Sequence, residues 1–116
     1  MSLRRAALLL PCLVAGACAH AIDMATYEAQ RRARPDILKI HVLGVGEGLT
    51  WAQVISASSG NKRFFCPPQT PLEADNYMAL IEVEAAHNPS VTRYTEIGYV
   101  LFLALQRAYP CAAPPP

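Results

Sequence analysis

The sequence predicts an all-α fold, a compact bundle of about four helices tied by one intrachain disulfide. Three observations carry that prediction. Apolar residues recur at helical spacing in three separate stretches, and a capping residue, Asp23, marks a short fourth before them. Residues that start and stop helices stand at the ends of those stretches. Two cysteines, Cys66 and Cys111, bracket the last two stretches in a chain that opens with an export signal. At 116 residues there is room for one small domain.

Residues 1–21 read as a signal peptide. Met1 to Arg5 is short and positive, Ala6 to Gly16 is apolar without a charge, and Ala17 to Ala21 is rich in small residues. The apolar run falls short of the ~20 residues that span a bilayer. Cleavage after Ala19-His20-Ala21 would start the mature chain at Ile22. Alternatively, Ala15-Gly16-Ala17-Cys18 resembles a lipobox, and cleavage before Cys18 would leave it lipidated as a membrane anchor. Cys12 is lost either way. Loss of Arg4 and Arg5 takes the basic residues from 10 to 8 against 9 acidic ones, so the mature domain is near neutral. That balance gives no attraction for phosphate backbones, and no nucleic-acid partner is expected. The longest remaining apolar run, Ile97 to Leu105, is less than half a membrane span.

The helical domain is expected over residues 22–111. Asp23 caps a first helix carrying Met24, Tyr27 and Glu28, which ends in Arg31-Arg32-Ala33-Arg34, positive charges that suit a helix C-terminus. Pro35-Asp36 opens the second, because proline fits a first turn and an acid favours the N-terminal dipole. Leu38, Val42, Val45, Leu49 and Ala52 place its apolar stripe. Gly44, Gly46 and Gly48 interrupt that helix at roughly 1 kcal/mol each relative to alanine, so close approach of a neighbouring helix or a kink should compensate. The same glycines imitate a dinucleotide-binding turn, but Leu49 stands where its third glycine belongs, and so short a domain cannot supply the parallel sheet.

A connecting loop is expected over residues 56–69. Ser58-Ser59-Gly60-Asn61 has turn chemistry, Lys62-Arg63 is exposed charge, Phe64-Phe65 enters the core, and Pro67-Pro68 stiffens the exit. Thr70-Pro71-Leu72-Glu73 reads as a capping box that starts the third helix at Pro71. Tyr77, Met78, Ile81 and Ala85 form its inner side, and His87-Asn88-Pro89 stops it. Ser90 is the expected cap of the fourth, with Val91, Tyr94, Gly98, Leu101, Leu105 and Ala108 in one stripe. Ile97, Val100, Phe102, Leu103 and Ala104 fill its other sides, so this helix should be central, covered by its neighbours or by another subunit. Tyr109-Pro110 ends it, and residues 112–116 form a proline-rich disordered tail.

An even pair of cysteines in an exported domain reads as a disulfide. Joining Cys66 to Cys111 closes a loop of about 46 residues, for which chain entropy gives roughly 4 kcal/mol. A nucleophilic Cys66 would need His41 or His87 beside it, yet two prolines follow it where a pKa-lowering helix N-terminus would be needed. His41, Glu47, Cys66 and His87 show no metal-ligand spacing; His41 reads as a helix-packing residue and His87 as a cap partner. Glu82 and Glu84 lie on different helix faces, a poor acid/base pair. No catalytic residue, metal or cofactor is expected, and the chain is not read as an enzyme.

In their order, these pieces resemble the Rap/Tai family of type VI secretion immunity proteins. The resemblance rests on the export signal, the glycine-bearing helix Leu43-Gly44-Val45-Gly46-Glu47-Gly48, and Phe65-Cys66-Pro67-Pro68 followed by a capped helix. It continues through His87-Asn88-Pro89 to Tyr109-Pro110-Cys111, where the family often has Phe-Pro-Cys. It implies a periplasmic, all-helical, commonly dimeric protein that binds and occludes a cognate peptidoglycan amidase toxin. From residue chemistry, the candidate partner-binding loop is Ser58, Ser59, Asn61, Lys62 and Arg63, polar and flexible at Gly60. The apolar excess on the last helix and the glycines of the second predict a homodimer. The alternative function is a small periplasmic stress or acid chaperone.

Overall fold

The computed structural model describes residues 21–112. All but the last residue of the expected signal peptide, the lipidation site at Cys18, and all but the first residue of the expected tail lie outside them. Four helices follow in order: α1 (Met24–Ala33), α2 (Pro35–Ser58), α3 (Ala74–His87) and α4 (Ile97–Ala108). Among the described residues there is no strand beyond one isolated bridge between Asp23 and Glu96. The all-α fold class and the Cys66–Cys111 disulfide are as the sequence predicts.

Asp23 caps α1 as expected, its Oδ1 accepting the Thr26 N–H at 2.8 Å. That backbone donor holds the Asp23 carboxyl below its ordinary pKa. The next two first-turn donors find acceptors far along the chain: the Met24 N–H bonds the Thr95 carbonyl and the Ala25 N–H the Arg93 carbonyl, both at 2.9 Å. In return, the Ile97 N–H bonds the Ile22 carbonyl at 2.9 Å. Arg93 and Tyr94 thus lie in a turn, closed by the Thr95 N–H on the Thr92 carbonyl at 3.1 Å, that is tied to residues 22–25, which is why α4 starts at Ile97 and not at Ser90. Ser90 instead turns back on α3, its N–H bonding Asn88 Oδ1 at 3.0 Å, and Tyr94 is exposed. α1 docks through Met24 and Tyr27, whose buried hydroxyl donates to Glu82 at 3.1 Å. Burial, and then the Glu82 carboxylate, push that phenol's pKa up.

α2 begins at Pro35 as predicted, and its buried line runs through Leu38, Val42, Gly46 and Gln53. The expected stripe drifted toward Val45 and Leu49, which are half-buried, and Ala52, which is exposed. Gly46 explains the shift. A Cβ there would stand within 3.0 Å of three ring carbons of Tyr77, so absence of a side chain lets α3 approach. Gly44 and Gly48 meet nothing within 4 Å. Close approach thus accounts for one of the three glycines. We expect Gly46→Ala to destabilise the chain by about 1–2 kcal/mol: overpacking of roughly 1–3 kcal/mol, offset by up to about 1 kcal/mol of helix propensity. Denaturant melts of the variant check this.

The helix boundaries also correct the loop. α2 continues through Ser58, because the Ser58 and Ser59 hydroxyls both cap the Ile55 carbonyl, at 2.8 and 3.2 Å, and Gly60 then turns the chain at φ 81°. α3 starts at Ala74, three residues after the expected position. Asn76 Oδ1 accepts the Glu73 N–H at 2.8 Å, so the capping box is built on Glu73 and Asn76, not on Thr70 and Glu73. Its inner side is buried at Tyr77, Met78 and Ile81, with Ala85 half-buried, and it stops at His87 as predicted. α4 packs mainly on α3 and lightly on α2, with Ile97, Val100, Leu101, Ala104 and Leu105 buried; Tyr99 is 58% exposed, so the helix is covered on one side and is not the central one expected. His41, expected to pack between helices, is exposed on α2. His87 does cap, with Nδ1 2.8 Å from the Val83 carbonyl.

Candidate functional site

Between Gly60 and Phe65 the chain runs exposed through Asn61, Lys62, Arg63 and Phe64 before entering the core. Its shape is set from below. Gln53, only 6% exposed, uses one oxygen to accept the Phe64 N–H at 2.6 Å and the Phe65 N–H at 3.4 Å. Those are donors that no helix or strand satisfies, so a buried side chain substitutes for secondary structure. Phe64 and Phe65 both meet Phe102 of α4 edge-on, with centroids 5.7 and 6.3 Å apart. That is the arrangement ring quadrupoles favour. Phe65 is fully buried, whereas Phe64, expected in the core beside it, is 57% exposed. Two consecutive residues of an extended segment point to opposite sides, so only one of them can enter the core. Immediately after, the Cys66 N–H bonds the Tyr109 carbonyl at 2.8 Å and the disulfide joins Cys66 to Cys111.

The loop residues nominated from sequence separate into two groups. Ser58 and Ser59 commit their hydroxyls to the end of α2. The Asn61 N–H closes the turn on the Ser56 carbonyl at 3.1 Å, leaving its side chain exposed. Lys62 and Arg63 border an open cleft of about 580 Å³, together with Phe64, Glu84, Arg107 and Cys111. The floor of that cleft is Glu84, 1% exposed. Its Oε1 accepts from Asn88 Nδ2 at 2.8 Å and from Arg107 Nη2 at 3.2 Å, joining α3 to α4. Three cations therefore stand around one neutralised carboxylate, and the rim carries a local positive excess that favours an anionic partner surface.

From the sequence, Glu84 is weighed only as an acid beside Glu82, Gln53 is passed over, and Phe64 is taken for core. Glu84 continues the Tyr77–Ile81 line at helical spacing, and Gln53 continues the Val42–Gly46 line, so periodicity placed both facing the core. Their polarity disguised them. The remaining candidates do not converge: His41 is exposed on α2, His87 caps α3, and Cys66 carries no thiol. Among the described residues, no group of three His, Cys, Asp or Glu could hold a metal ion. What the cleft offers is recognition: rim charge, one exposed aromatic ring, and a backbone fixed from beneath. Comparisons with family models, curated proteins and solved structures find no match to this chain.

Proposed function

We propose that this chain is an exported immunity protein that binds and occludes a peptidoglycan amidase delivered by type VI secretion, with Asn61 to Phe64 as the inserted segment. The order of motifs from the glycine-bearing helix to Cys111 supports the toxin class. The observation that carries the binding role is the exposed Phe64 beside Lys62 and Arg63 on a backbone held by Gln53 and the disulfide. An inhibitor gains affinity when the inserted segment is ordered before binding, because less entropy is lost on contact. The exposed ring supplies apolar contact and the two cations supply steering toward an acidic surface. The role requires export to the periplasm, free or anchored through Cys18, and no catalysis by this chain.

The test is co-expression with the amidases encoded beside the gene, followed by titration of the purified pair. A complex and relief of toxicity are expected from one of them. The double variant Lys62→Glu/Arg63→Glu should weaken the complex at least tenfold, mostly by slower association that no longer responds to salt. Its stability should stay within about 0.5 kcal/mol, as both residues are exposed. Absence of a complex with every candidate amidase overturns the reading.

A second reading is favoured by a separate observation. Ile40, Trp51 and Ile55 of α2 are between 63% and 70% exposed, apolar surface of the kind a small acid-stress chaperone presents to unfolded clients. Suppression of the aggregation of unrelated proteins at low pH would support it, and failure to suppress would remove it.

A further inference from the structure

A second groove, of about 320 Å³, is lined by α2 from Glu47 to Trp51, by Tyr77 of α3 and by the chain from Pro67 to Leu72. Two of its side chains have no explanation within the domain. Trp51 is 65% exposed. Tyr77 is 3% exposed, yet its hydroxyl makes no hydrogen bond among the described residues. The buried side-chain oxygen without a partner there is Oε1 of Gln30, so the Tyr77 hydroxyl is the part of that residue that still meets the groove. Gly46 makes the reach possible. Tyr77 Cζ is the atom that a Cβ at Gly46 would meet first, so the hydroxyl end of the ring passes over bare backbone to where Glu47 and Thr50 line the groove.

We propose that this groove binds a neutral sugar ring, its apolar C–H face stacked on Trp51 and its hydroxyls set on Tyr77, Glu47 and Thr50. The negative face of an indole attracts weakly positive C–H groups. The polar groups are of mixed kind. The Tyr77 hydroxyl and the Trp51 N–H can donate, whereas the Thr50 hydroxyl already donates to the Gly46 carbonyl at 3.0 Å and is left to accept. Glu47 is in none of the ion pairs among the described residues and can only accept. Sugar hydroxyls both donate and accept, so they satisfy both kinds.

Other ligand classes fit less well. No Lys, Arg or His lines the groove, so an anion finds no counter-charge. A purely apolar ligand would cover the Tyr77 hydroxyl and leave it unpaired. A proline-rich peptide offers carbonyls without N–H groups, which suits Tyr77 and Trp51 but sets acceptors against Glu47 and Thr50. A cation would have the face of Trp51 alone, because the Tyr77 ring is buried on Gly46. The volume lies at the small end of the roughly 300–1,000 Å³ usual for ligand sites, enough for one ring and part of a second. The prolines fix the backbone of one wall, and the disulfide at Cys66 anchors its start. At the efficiency ordinary for small ligands, such a site binds with a dissociation constant on the order of 1 mM. It shares no residue with Asn61–Phe64 and stands independently of the amidase reading.

Trp51 is the sole tryptophan, so its emission reports this groove. Titration of the purified chain with diacetylchitobiose or cellobiose, both neutral disaccharides, should shift Trp51 emission to the blue and saturate in the millimolar range. Tyr77→Phe should raise the dissociation constant about five- to tenfold. It should leave the thermal midpoint unchanged, because the hydroxyl has no partner within the described chain. Trp51→Ala, at an exposed position, should stay folded and abolish saturation transfer from the protein to the sugar protons. Absence of a saturable response to either disaccharide up to about 50 mM, far above the affinity expected, overturns the proposal. Saturation by triproline but by neither sugar also overturns it, as does unaltered sugar affinity of Tyr77→Phe.

Discussion

Replacement of Cys66 by Ser is expected to lower stability by up to about 4 kcal/mol under oxidising conditions. The disulfide closes a sequence separation of 45 residues, and that loop contains all of α3 and all of α4 and begins two residues after the exposed binding segment. Opening it gives the unfolded chain more conformations and leaves the folded contacts in place. The ends are already paired in the fold, since the Cys66 N–H bonds the Tyr109 carbonyl, so the native geometry does not depend on the covalent bond alone. The measurement is a pair of urea melts with and without reductant. The unsubstituted chain should lose its extra stability in reductant and converge on the variant, and the variant should be indifferent to reductant. Identical midpoints in all four melts would show that the bond adds nothing. Binding of a partner at Asn61–Phe64 should weaken far less than folding, because Gln53 still holds Phe64 and Phe65 by their N–H groups.

The features readable in the sequence are those with local causes. Asp23 starts α1, Pro35 starts α2, and Asn88-Pro89 stops α3, each through atoms within a few residues of the helix end. The two starts that sequence reasoning misplaced have distant causes. Ser90 has the chemistry of a cap, yet the turn at residues 92–95 and the start of α4 are tied by hydrogen bonds to residues 22–25, a pairing across the whole domain. Thr70-Pro71-Leu72-Glu73 has the spacing of a capping box, yet Leu72 packs against the core and Pro71 lines the groove beside Trp51. Tertiary packing overrode a local preference of about 1 kcal/mol. The site follows the same division. Lys62 and Arg63 were legible as exposed charge in a turn-rich segment, whereas the carboxylate beneath them and the amide that fixes the backbone were hidden among apolar positions. The outer face of α2 was missed because one stripe accounted for a helix that carries two. The three glycines, read together as one feature, divide between an inner contact at Gly46 and an outer face at Gly44 and Gly48.

Phe65→Ala should be as damaging as loss of the disulfide, at about 3–5 kcal/mol. Phe65 is fully buried and carries the loop back into the domain, its ring edge-on to Phe102 at 6.3 Å. Truncation removes a large apolar area from the core and leaves a void beneath α4 that Cys66, fixed to Cys111, cannot move to fill. Phe64→Ala is the control one residue away. Its ring meets the same Phe102 at 5.7 Å but is mostly exposed, so its loss should lower stability by no more than about 1.5 kcal/mol while removing the only aromatic contact of the binding segment. The two neighbours thus separate folding from recognition: Phe65→Ala shifts the urea midpoint, and Phe64→Ala shifts partner affinity. Equal effects of the two on stability would mean that both rings belong to the core. A domain of this size has a total stability near the low end of about 5–15 kcal/mol. Phe65→Ala combined with Cys66→Ser should therefore leave no cooperative unfolding transition at all, even though Asp23 still caps α1 and the Glu73–Asn76 pair still caps α3.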